Sequence, residues 1–194
     1  MKSGKIARMA VILAIVFVGF AIDTLLRNFF AFQIAVVSLI AVITVALTCT
    51  KIEAFVAGVG LGVFSMIRAL IMPSIVAAAT IENFWTSFAN PIVAVLPRAF
   101  IGLVVYWAKK GFSKIIKNDI AVYSIASALG VVTNTGLVCV ALTLMNLVST
   151  PAFNILGFIY AYFTINCILE LAISTVVSPL LAKGIKRSPY FKED

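Results

Sequence analysis

Residues 34–72 read IAVVSLIAVITVALTCTKIEAFVAGVGLGVFSMIRALIM. Two apolar runs, 34–49 and 53–72, meet at a turn made by Thr50 and Lys51. Each is close to the roughly 20 residues that a helix needs to cross about 30 Å of hydrocarbon. The first of the two is short, so it should stand with little tilt. Four more apolar stretches can be marked, at 6–26, 91–108, 119–147 and 151–182. The last two are long enough to project beyond a bilayer. The sequence therefore predicts an all-α integral membrane protein with six transmembrane helices.

Composition agrees with that reading. Of 194 residues, 63% are hydrophobic and 11% charged, and the mean hydropathy is +1.16. Soluble domains are about 45–50% apolar and about 25% charged. A chain of this length cannot hide the excess from water, so its solvent should be lipid. No hydrophilic block is large enough for a second domain, and residues 1–194 read as one unit. The first stretch is too long for a signal peptide and lacks a small-residue cleavage site, so it counts as the first helix.

The net charge of +8 reads as an orientation signal. Lys2, Lys5, Arg8, Lys51, Lys109, Lys110, Lys114, Lys117, Lys183, Lys186, Arg187 and Lys192 fall on one side of a six-span layout. By the positive-inside rule both termini lie in the cytoplasm (N-in, C-in). These residues sit on short turns with no nucleic-acid reading element beside them, so no nucleic acid is expected. There is no histidine, and the carboxylates show no catalytic pairing. Cys49, Cys139 and Cys167 are isolated in apolar runs and read as small core residues. An enzyme, a metal site and a bound cofactor are therefore not expected.

Arg68 and Arg98 lie inside spans, where a charge costs at least about 2.5–3.5 kcal/mol and faces a cavity or a partner. Helix rise sets Arg68 and Asn134 roughly 22 Å above the basic side and Arg98 about 10 Å below the other. All three should share the outer zone, with Asn90 and Trp85 just above, Asn166 nearer the middle and Glu170 about one turn deeper. Two guanidinium groups among amides suit an anionic, hydrogen-bonding ligand. Alternatively, Arg98 pairs with Glu170 and Arg68 caps loop carbonyls. Asp23 and Arg27, at i, i+4, should pair with each other. The aromatic residues of 27–33 and 73–90 suit either a lid or an interfacial belt.

Small residues mark close helix contacts. Ala7, Ala10, Ala14 and Ala21 share a face of the first helix, which is open to a neighbour in the fold or to another protein. Ala54, Gly58, Gly62, Ser65 and Ala69 make a second stripe, suited to packing within the fold. Ser124, Ser127, Gly130 and Asn134 line one side of the fifth helix.

Asn90-Pro91-Ile92-Val93-Ala94-Val95-Leu96-Pro97-Arg98-Ala99-Phe100-Ile101-Gly102 resembles the Asn-Pro…Pro-Arg…Gly signature that opens the fourth helix of S-components, the substrate-binding subunits of energy-coupling factor (ECF) vitamin transporters. Gly58, Gly62 and Arg68, together with Val132-Thr133-Asn134-Thr135-Gly136, are similar too. The likeness spans nearly the whole chain and is greatest to the pantothenate-specific type. It implies an S-component-like bundle in a prokaryotic plasma membrane, binding a small anionic vitamin near the outer face. It also implies that a transmembrane coupling subunit, driven by two cytoplasmic ATPase subunits, docks on the small-residue face of the first helix at Ala7, Ala10 and Ala14. Delivery would follow by toppling in the membrane. The chain has no Walker pattern of its own. Within the matching motifs, Arg98 would hold the carboxylate, and Asn90 and Asn134 would bond hydroxyls and amide. By depth and chemistry, Arg68 and Asn166 would join them, and Trp85 and Phe64 would cover the apolar part. The same fold carries other vitamins, such as riboflavin or a thiamin precursor. A different class, an autonomous secondary transporter, needs acids on several helices that this sequence lacks.

Overall fold

The computed structural model describes residues 2–29, 36–71, 90–149 and 166–186. They form seven helices: α1 (Lys2–Phe29), α2 (Val36–Thr48), α3 (Lys51–Ile71), α4 (Pro91–Ala94), α5 (Leu96–Phe112), α6 (Asp119–Ser149) and α7 (Asn166–Lys186). No strand occurs among the described residues. Five spans are long and apolar enough to cross a membrane: α1, α3, α4 with α5, α6, and α7. The second expected span is a 13-residue apolar helix, shorter than the others.

Helix α2 is the hub. It touches α1, α3, α5, α6 and α7, and of its residues only Val37 and Ala41 are not buried. A helix that is apolar all round belongs inside a bundle. Leu39, Ile43 and Leu47 fill the main core with Val16 of α1, Ile101 and Val105 of α5, and Val122 and Val131 of α6.

Two carboxylates fasten α1 to this hub. Near its C-terminal end, Asp23 accepts from the backbone N–H groups of Val37 (2.9 Å) and Ser38 (2.8 Å) and from the Ser38 hydroxyl. A side chain of α1 thus satisfies the first turn of α2, where a negative charge also meets the positive end of the helix dipole. These described partners are long-range; the Arg27 side chain, which the spacing set beside Asp23, lies outside the described residues. Near the other end, Thr50-Lys51-Ile52-Glu53 forms a capping box. The Glu53 Oε2 accepts from the backbone N–H and hydroxyl of Thr50, both at 2.9 Å. Its Oε1 meets Arg8 Nε of α1 at 2.8 Å.

Helices α3 and α5 pack antiparallel through glycine. Ala54 stands against Gly102, Gly58 against Arg98 and Ala99, and Gly62 against Ala94 and Val95. A methyl group at Gly58 or Gly102 would run into a backbone carbonyl, and one at Gly62 would lie 2.5 Å from the Val95 Cα. The Gly58-x-x-x-Gly62 stripe is therefore spent within the fold. The alanine stripe of α1 is not: Ala7, Ala10 and Ala14 are exposed, while Ile12, Val16, Gly19 and Asp23 turn inward.

The break between α4 and α5 falls at Val95, two residues before Pro97. Proline has no N–H for the carbonyl four residues back and its ring crowds that turn, so the helix kinks there. Basic residues gather at one end of the bundle. Lys5, Arg8, Lys51 and Lys110 line one cleft, and Lys186 of α7 lies 5.2 Å from the ring centre of Tyr123 on α6.

Candidate functional site

At the end of the bundle away from the lysines, α4 and α5 lie against α6. Asn90 is fully buried and caps α4. Its Oδ1 accepts from Ile92 N–H at 2.9 Å, and Pro91 fills the first helical position, where no N–H is required. The Asn-Pro opening of the signature is thus a helix cap, and its carboxamide oxygen is committed to the backbone.

Arg98 is half-buried one turn after the break and donates from Nη1 to the Ala94 carbonyl at 2.7 Å. Asn134 of α6 shares its level. Gly130 packs against Val105 and Ile101, and Val138 packs with Val93. Asn134 stands midway between these two contacts, which sets it across from the Arg98 turn. Its Oδ1 is buried and has no hydrogen-bond partner among the described residues. An unmet buried acceptor costs about 1–3 kcal/mol, so it marks a place where a donor belongs.

Arg68 does not join them. The glycine register sets the Arg98 backbone opposite Gly58, whereas Arg68 lies ten residues farther along α3, about 15 Å by helix rise. Continued upward, the same register places Pro91 near the level of Ser65. The fourth span thus begins roughly 9 Å short of the far end of α3, which explains why equal-depth counting failed. The faces differ as well. Gly58 and Gly62 meet α5, but two residues later, roughly 200° around the helix, Gly60 meets Leu13 of α1. Phe64 and Arg68 continue that second face. Phe64 packs with Phe17 and Phe20, with centroids 5.2 and 6.1 Å apart, and the Arg68 guanidinium carbon lies 6.0 Å from the Phe20 ring centre. This cation–π cluster binds α3 to α1.

Trp85 and the rest of 72–89 lie outside the described residues. Asn166 opens α7, but its side chain is not among those described. Glu170 is buried on α7. Among the described residues no cluster of His, Cys, Asp or Glu could hold a metal ion. Sequence reasoning missed the tie from Glu53 to Arg8, although the Thr50-x-x-Glu53 spacing is the mark of a capping box. Comparison with protein-family models, and with curated proteins, finds no match to this chain.

Proposed function

We propose that the protein is the substrate-binding subunit of an ECF-type vitamin transporter, with six spans and both termini in the cytoplasm, and that it takes a small anionic vitamin of the pantothenate type. The observation that carries this reading is the juxtaposition, at the α4–α5 break, of Arg98 with a buried Asn134 oxygen at the same level that has no hydrogen-bond partner among the described residues. A guanidinium fork suits a carboxylate, and the lone amide acceptor suits a hydroxyl or amide N–H of the same ligand. Asn90 serves by capping α4 and so aiming the Arg98 turn. Trp85 and Asn166, from the flanking segments, would complete the enclosure. Phe64 and Arg68 serve as the brace between α1 and α3.

Two further features favour a subunit rather than a self-sufficient transporter. The outward alanine stripe offers a smooth helix face to a coupling subunit. Of the buried carboxylates among the described residues, Asp23 and Glu53 are engaged in capping and pairing at opposite ends of α1, and Glu170 on α7 is the one other, too few for a chain of acids that couples ions. ATP hydrolysis would belong to the partner subunits.

Binding of labelled pantothenate to the purified chain tests the proposal. Arg98→Ala should abolish high-affinity binding while the protein still inserts and purifies. Asn134→Ala should weaken binding by about 10-fold or more, as expected for one lost hydrogen bond of 1.4 kcal/mol or more. Undiminished affinity in Arg98→Ala refutes the assignment.

A further inference from the structure

Three chain segments far apart in sequence meet at the basic end and enclose a cleft of about 670 Å³. The start of α1 supplies Lys5 and Arg8, the start of α3 supplies Lys51 and Glu53, and the end of α5 supplies Trp107 and Lys110. Four cations thus face one carboxylate. That carboxylate is already engaged, by Arg8 on one oxygen and by the capping box on the other. Among the described residues Lys5, Lys51 and Lys110 have no carboxylate partner, and the Lys110 ammonium rests 5.3 Å from the Trp107 ring centre. The positive-inside tendency accounts for lysines near a membrane face. It does not account for their convergence on a walled cleft.

The cleft is also amphipathic. Ile52 and Trp107 are among its walls, and both are more than half exposed. Tryptophan favours the headgroup level of a bilayer. Gly4 opens the rim, since a methyl group there would meet nothing within 4 Å. We infer that this cleft is a binding site for the headgroup of an anionic phospholipid from the leaflet that meets the basic end. The lysines take the phosphate, and Trp107 with Ile52 lies along the glycerol and first acyl carbons. Basic pockets between spanning helices take anionic headgroups in this manner. The inference rests on membrane embedding alone and is independent of the vitamin reading.

The full chain, purified in a neutral detergent, is titrated with phosphatidylglycerol, phosphatidylcholine or inorganic phosphate, and lipid retention is read by native mass spectrometry. Phosphatidylglycerol should be retained in preference to phosphatidylcholine, and phosphate should not displace it. Lys5→Gln, Lys51→Gln and Lys110→Gln combined should lower that affinity on the order of a hundredfold, from about fivefold per lysine. Lys114→Gln, Lys117→Gln and Lys183→Gln combined remove the same charge from the same end and should leave it nearly unchanged. Equal loss in both triple variants would overturn the site in favour of diffuse attraction. Equal retention of the two lipids would overturn it as well. Displacement by phosphate alone would mean a free-anion site, and the lipid assignment would be wrong.

Discussion

Replacing Gly58 by alanine adds one methyl group at the tightest part of the α3–α5 contact. That carbon would collide with the Arg98 carbonyl and lie 3.1 Å from the Ala99 Cα. Neither is the end of a flexible side chain, so relief requires moving a backbone. Because both obstacles are backbone, overpacking here should fall in the upper part of the usual range, roughly 2–3 kcal/mol, and the better helix propensity of alanine offsets about 1 kcal/mol. A net loss of about 1–2 kcal/mol follows, or a melting temperature lower by roughly 2–8 °C for a chain of this size. Because the displaced backbone carries Arg98, ligand affinity should fall in the same variant. Gly58→Ala with Gly62→Ala should cost less than the sum of the two, since one outward shift of α5 relieves both clashes. Gly136→Ala on α6 is the internal control. Nothing lies within 4 Å of its added methyl, so it should be neutral or stabilising by up to about 1 kcal/mol. Thermal unfolding of the detergent-solubilised protein reads all four variants. If Gly58→Ala melts at or above the parent temperature, the glycine-to-carbonyl register of α3 and α5 is incorrect, and with it the separation of Arg68 from Arg98.

Asp23→Ala removes acceptors from two backbone N–H groups and a hydroxyl at the start of α2. It should destabilise by about 1.5–3 kcal/mol and raise hydrogen exchange in the first turn of α2 rather than in α6; uniform exchange would argue against a cap. Ala10→Trp and Ala14→Trp add bulk to an exposed face, so melting should change little, within about 0.5 kcal/mol. Co-purification with a coupling subunit should nevertheless fail. A complex that stays whole would remove the docking role from α1.

The apolar spans were legible because hydrophobic length survives any arrangement of the bundle. The Gly58-x-x-x-Gly62 contact and the Asn90-Pro91 helix start were legible too, for they rest on local geometry. Position around each helix was not. Rise gives depth along one helix, but the stagger between helices is set by which small residues interlock. Ala54 against Gly102 fixes α5 lower against α3 than equal starts implied, and so parts Arg68 from Arg98. The cap that Asp23 makes was hidden for a similar reason. An i, i+4 partner is visible in the sequence, whereas the open N–H groups of Val37 and Ser38 become neighbours only once α1 and α2 pack. The central place of α2 was hidden in its shortness, which reads only as a span with little tilt until the buried surface around it is seen.

The two polar ties of α1 carry a mechanical consequence. Arg8 and Asp23 sit fifteen residues apart on one helix, roughly 22 Å by helix rise, and each is bolted to the α2–α3 hairpin. A strut held at both ends does not peel. Force applied to its smooth alanine side would become torque on the whole bundle, so any partner that gripped α1 would turn the protein as one rigid body instead of prying it open.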